Sequence, residues 1–297
     1  MQTLHLSYSP ILLALASMIF QSLGDGVYKR SQNHKAYPEL FLVYQSYSFG
    51  ITSLALVYIF DVFRTDWVAW KYGPICGVVG FTAYFCFLSS LREGQVSINT
   101  MIFRLSFVLT AVLAIVFLGE PITLQKSIGL ITAALAVLSL TVFPILFSNG
   151  SANKTHVSTP GSRKSIILAI TAMLLLGVLS FVYKLAASEG VPGPSLIFIQ
   201  FAFFSPIAML YAYFRKRFVW HQTSVNHGLS AGVLLSLALI LLVSALGRGD
   251  AGVVVPINQM SFVLIAVLAV PWFKESWTIW KTIAVGFAAL TIWLLSS

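Results

Sequence analysis

Charge is what this chain has least of. Only 9% of its residues are Asp, Glu, Lys or Arg, against 58% apolar, and the mean hydropathy is +0.89. Water-soluble domains carry about 25% charged residues, so the shortage excludes an ordinary soluble enzyme. A chain of 297 residues could not hide this much apolar surface in one core, and lipid removes the need. Cysteine is nearly absent too. Cys76 and Cys86 fall in one apolar run, too far apart along a helix to bridge, and read as buried filler rather than a disulfide or metal site. His5, His34, His156, His221 and His227 are scattered through loops and margins. There is no HExxH, no Cys–His pair in register and no glycine-rich phosphate loop. The sequence therefore offers no catalytic residue and no metal site, and it calls for no cofactor. The formal charge of +9 comes from basic residues flanking apolar runs, which points to membrane topology and not to a nucleic-acid partner.

Long hydrophobic runs fill the rest. Ten spans are predicted, at 9–28, 38–60, 72–90, 97–118, 122–147, 165–187, 193–214, 228–247, 253–272 and 276–296, each near the ~20 residues that cross the hydrocarbon. Backbone groups in lipid need internal partners, so the expected class is all-α. No Lys or Arg precedes the first span, and it is too long for a typical signal-peptide core, so it is expected to stay as a membrane helix.

The chain repeats itself. Ser106 to Leu140 reappears as Ser261 to Leu295, 155 residues on, with 16 of 35 positions identical. At the same offset Val27-Tyr28-Lys29 matches Val182-Tyr183-Lys184, Gln45 matches Gln200, and Ser89-Ser90-Leu91 matches Ser244-Ala245-Leu246. Ile98-Asn99 pairs better with Ile257-Asn258 at an offset of 159. The expected domains are 1–147 and 165–297, five spans each, joined by a polar linker at 148–164 that contains the sequon pattern Asn153-Lys154-Thr155. An odd number of spans per half makes the second copy enter the membrane from the opposite side. The expected architecture is thus a polytopic 5+5 inverted repeat, whose halves can expose a shared chamber to alternate sides.

Phe117-Leu118-Gly119-Glu120-Pro121 closes span 4 and is followed by Lys126, Gly129 and Ala133-Ala134. Phe273-Lys274-Glu275 is its counterpart, without the glycine. With the duplication and the ten spans, this pattern resembles the drug/metabolite transporter superfamily, in its ten-helix branch with two EamA-like domains. Members usually carry a proline early in spans 4 and 9. Pro256 fits, and span 4 has none. The resemblance implies a secondary carrier of small organic solutes.

Polar groups within spans are the candidate working residues, because an Arg or Asp at a helix centre costs roughly 2.5–3.5 kcal/mol on insertion scales. Arg104, inside span 4, is expected to face the chamber, pairing with an acid or receiving an anionic part of a cargo. Asp25, in Gly24-Asp25-Gly26, is the acid expected to pair with it, or to carry a coupling proton. Lys29 and Lys184 occupy equivalent places, where they either snorkel beside Tyr28 and Tyr183 in an aromatic belt or touch the ligand. Asn99, Asn258, Gln259, Gln45 and Gln200 either bind a polar solute or crosslink helices. Tyr44 and Tyr84 are expected to line an apolar wall. Gly119, Glu120, Pro121 and Glu275 are expected to be architectural, with each carboxylate near the start of the following span, 5 or 10, and Pro121 at the entry to span 5. Small residues such as Gly129 permit close packing and leave room for a homodimer.

Loops 1–2, 3–4, 5–6, 7–8 and 9–10 carry twelve Lys and Arg, and the opposite side five. The positive-inside rule puts both termini outside, whereas the resemblance puts them in the cytoplasm. The expected function is secondary active transport of a small polar or amphipathic organic metabolite, driven by protons or by exchange. Arg104 adds weight to an anionic or zwitterionic cargo. Two other classes compete: a membrane enzyme acting on a lipid-linked substrate, and a non-transporting receptor or assembly factor. The expected location is multi-pass in the cell (inner) membrane, in contact with lipid, with an organelle membrane as the alternative.

Overall fold

In the computed structural model, residues 9–33, 37–63, 67–93, 96–143, 163–215 and 221–296 are described. They form α1 (Pro10–Asn33), α2 (Pro38–Ile59), α3 (Trp67–Glu93), α4 (Val96–Arg104), α5 (Ser106–Leu118), α6 (Leu124–Thr141), α7 (Arg163–Ser188), α8 (Gly193–Phe214), α9 (Gln222–Leu246), α10 (Ala251–Gln259), α11 (Ser261–Phe273) and α12 (Ile279–Ser296). No strand occurs among the described residues. Ten stretches are long and apolar enough to span a bilayer. Most of the linker, including Asn153-Lys154-Thr155, lies outside the described residues.

Spans 4 and 9 were expected to be continuous, and each is two helices. The first breaks at Leu105 and the second at Met260. No glycine or proline marks the first break. The backbone tightens there instead: Leu105 N–H reaches both Met101 O and Ile102 O at 3.2 Å, and Met260 N–H reaches Ile257 O at 3.1 Å. These paired breaks also correct the register. The helices α2, α4, α5 and α6 recur as α8, α10, α11 and α12, each at an offset of 155. Gly119 (φ 65°) and Lys274 (φ 55°) are matching left-handed caps. Asn99 therefore corresponds to Val254 and Asn258 to Phe103; the shared Ile-Asn at an offset of 159 does not reflect equivalent positions.

The two halves interlock. α1 packs on α9, α10 and α11, and α2 on α9. In the mirror arrangement α7 packs on α3, α4 and α5, and α8 on α3. Each of the two bundles thus holds two spans from each half. They meet along α2 and α8, while α6 and α12 pair at the periphery. Two equivalent glycine pairs permit the approach, Gly73 with Gly77 on α3 and Gly228 with Gly232 on α9. A Cβ at Gly232 would lie 2.2 Å from Gln45 O and 2.0 Å from Ser48 Oγ, and one at Gly77 2.9 Å from Gln200 O. Gly232→Ala forces α9 away from α2, with an expected loss of about 1–3 kcal/mol. Thermal unfolding in detergent measures it, and an unchanged melting temperature would contradict this packing.

Candidate functional site

A narrow cavity lies between the bundles. Its polar lining is Gln45 and Ser46 on α2, Tyr84 on α3 and Gln200 on α8. Phe49, Phe201, Phe204, Leu235 and Leu239 complete the wall. Among the described residues, no Asp, Glu, Lys or Arg belongs to that lining. The two glutamines are equivalent by the duplication, and each is tied in the same way. Tyr28 Oη–H donates to Gln45 Oε1, and Tyr183 Oη–H donates to Gln200 Oε1 at 2.7 Å. The sequence alone places these tyrosines in an aromatic belt. Their spacing of 17 residues from a glutamine in both halves is the signal that could have joined them to the site.

Beside the cavity, four helix ends meet at a buried network. Arg104 Nη2 donates to Asp25 Oδ2 at 2.5 Å, with the two side chains only 11% and 16% exposed. Arg104 Nη1 donates to Gln259 Oε1 at 3.1 Å and Ser261 Oγ at 3.3 Å, and Gln259 Nε2 donates to Ser106 Oγ at 3.4 Å. Arg104 and Gln259 are equivalents, as are Ser106 and Ser261, so these contacts are reciprocal across the repeat. The charge is not reciprocal: Ser180 stands where half one has Asp25. Contrary to the expectation from sequence, Arg104 is not among the residues that line the cavity. Tyr84, which does, lies in the electrostatic field of both Arg104 and Asp25.

The two ends of the assembly differ. At the end carrying loops 4–5 and 8–9, the Glu120 carboxylate accepts Ala251 N–H at 2.7 Å and Gly252 N–H at 3.0 Å, so it caps α10 in the opposite half. Lys184 Nζ lies 3.9 Å from it and donates to Leu246 O and Gly249 O at 2.9 and 2.8 Å. Lys126 is paired with Asp250. At the opposite end, Glu275, the equivalent of Glu120, is paired with Lys29 and Lys281 and is 36% exposed against 6% for Glu120. Burial alone would raise the Glu275 carboxyl, but the hydrogen bonds from Lys29 and Lys281 outweigh it and hold it below the usual carboxylate range. Helix packing follows the same asymmetry. α10 packs along α5, and α9 along α7 and α8, while the equivalent pairs α4 with α11, and α3 with α1 and α2, scarcely touch.

Several expectations change partner. Neither carboxylate sits at the start of the following span: Glu120 caps α10, and span 5 is capped by Thr123 Oγ1, which accepts Lys126 N–H at 3.1 Å. Pro121 lies in the connection before that cap, outside the helix. Lys29 pairs with Glu275, Lys184 donates to the carbonyls of Leu246 and Gly249, and neither is among the cavity-lining residues. Asn99 Nδ2 donates to Ser90 O and Ser165 Oγ, both at 2.7 Å, and Asn258 Oδ1 accepts from Ser17 at 2.8 Å. Both amides crosslink helices away from the cavity. Tyr44 packs against α9 at Gly228, outside the cavity lining.

Comparison with known proteins adds to this geometry. The sequence profile described as the EamA-like transporter family matches residues 8–142 and again 163–297. No curated protein matches the chain. Chains of solved structures do, 29 of them. One, described only as the crystal structure of a protein, superposes with a TM-score of 0.77 at 16% identity, covering 96% of this chain and 95% of its own.

Proposed function

Because the chain belongs to the EamA-like transporter family, we propose that it is a secondary carrier that moves a small polar or amphipathic organic solute by opening its central cavity first to one end and then to the other. The observation that carries this is the unequal state of two equivalent ends. Glu120 and Lys184 are buried in a clasp that joins the bundles. Their counterparts Glu275 and Lys29 are partly exposed. A duplicated device found shut once and open once is what an alternating carrier requires. Protons or a counter-solute would supply the drive. The open end carries the basic loops, so we assign it to the cytoplasm and both termini to the outside, which tags on each terminus would test in intact cells.

Flux tests the carrier itself. The full chain in sealed liposomes should release a preloaded mixture of small neutral, anionic and zwitterionic solutes selectively and with saturation. Lys126→Cys/Asp250→Cys, made without Cys76 and Cys86, should retain flux until a short bifunctional thiol reagent joins the two positions, and should then lose it. Full flux in the joined protein, or no protein-dependent flux for any solute, would overturn the proposal.

A further inference from the structure

We propose that the cavity selects an uncharged, planar solute rich in hydrogen-bond acceptors, gripped by the side-chain amides of Gln45 and Gln200; the assignment rests on the carrier function proposed above. A free glutamine can turn either end of its amide to a ligand. Here each carbonyl oxygen accepts from a tyrosine hydroxyl. That leaves the two NH₂ groups as the ends free for a ligand. Among the described residues neither Nε2 has an acceptor, yet neither is a sealed, unpaired atom. Gly80 keeps room for the second of them, since a Cβ there would stand 3.2 Å from Gln200 Nε2. The two amide donors, set beside the hydroxyls of Ser46 and Tyr84 in a mainly apolar wall, call for acceptors.

The remaining walls decide charge and shape. The rings of Phe49, Phe201, Phe204 and Tyr84 suit a flat solute, which would enter as the cavity widens in the proposed cycle. An ion would be stripped of water with no opposite charge in the lining to receive it. The charges whose field reaches Tyr84, Arg104 and Asp25, are spent on each other. Tyr28 and Tyr183 are positioning residues, and Gln45 and Gln200 would touch the cargo.

Three isosteric probes test this on the purified full chain: nicotinamide, which is neutral; nicotinate, an anion; and 3-(aminomethyl)pyridine, a cation. Calorimetric titration should show nicotinamide binding at least about tenfold tighter than either charged probe, and Gln45→Leu or Gln200→Leu should each weaken it about three- to tenfold, the worth of one net hydrogen bond. Gln45→Glu should shift preference toward the cation. Tyr28→Phe and Tyr183→Phe, which keep the ring, should lower the ratio of neutral to cationic affinity by releasing the amides to turn. The inference falls if nicotinate matches or exceeds nicotinamide, if no probe binds, or if the affinity and the ratio survive every substitution. Nicotinamide binding without protein-dependent flux would remove the carrier function and leave the site. Flux of another solute, untouched by the glutamine variants, would do the reverse.

Discussion

Arg104→Leu is expected to lower the stability of the folded chain by about 3–5 kcal/mol, the usual cost of stripping one partner from a buried ion pair. Asp25 would be left in a site 16% exposed, with Ser261 Oγ at 3.3 Å and Gln21 Nε2 at 3.3 Å as its remaining donors among the described residues. Most of the loss is the penalty on the buried partner left behind, so removing both side chains should restore it. The second half of the chain shows how, with Ser180 and Gln259 at the equivalent positions. Asp25→Ser/Arg104→Gln should therefore recover most of the stability lost by either single change. It also relieves a weakness of the native network, where Arg104 Nε is buried without an acceptor. Unfolding in detergent, followed by tryptophan fluorescence for all four members of the cycle, measures the coupling. Strict additivity of the two substitutions would show that the pair is not energetically joined.

Glu120→Ala should release the closed end. The substitution removes the acceptor for two buried N–H groups and the counter-charge of Lys184. Hydrogen bonds to a charged group contribute about 1.5–3 kcal/mol each. A loss of about 3 kcal/mol shifts the closed-to-open balance by roughly a hundredfold. Lys184 would still hold Leu246 O and Gly249 O, so the end should loosen without unfolding. Glu275→Ala should have a small effect in the same state, about 0–1 kcal/mol, because its ion pairs are partly solvated. A reporter thiol distinguishes the two. Val254→Cys, 1% exposed on α10 and placed in a chain lacking Cys76 and Cys86, should react with a membrane-impermeant maleimide only in the Glu120→Ala background. Equal labelling in both backgrounds would refute the unequal ends.

Fold class was legible because lipid leaves few choices. Ten long apolar runs in a chain this poor in charge dictate helices, and the offset of 155 predicts the inverted repeat. The breaks in spans 4 and 9 were not legible. They arise where Arg104, Ser106, Gln259 and Ser261 bond across the repeat, and such contacts leave no local mark like glycine or proline. For the site, depth alone paired Asp25 with Arg104, and equivalence singled out Gln45 and Gln200. Depth could not separate those glutamines from Asn99 and Asn258, which crosslink helices instead, because an amide in lipid is costly in either role. The partner of Glu120 was misplaced for a different reason. A carboxylate beside a helix start in sequence is expected to serve that helix, but the interlocking of the halves brings α10 closer.

Arg104 and Gln259 are copies of one position, and they touch. Two copies related by a rotation can meet only where the rotation leaves things nearly in place, so the dyad of the repeat runs between them. In the proposed cycle the clasps at both ends would sweep through the largest arcs, and this point would act as the fulcrum. A buried charge pair set beside that axis would be displaced least in such a cycle, and so would add less to the barrier than a pair at either clasp.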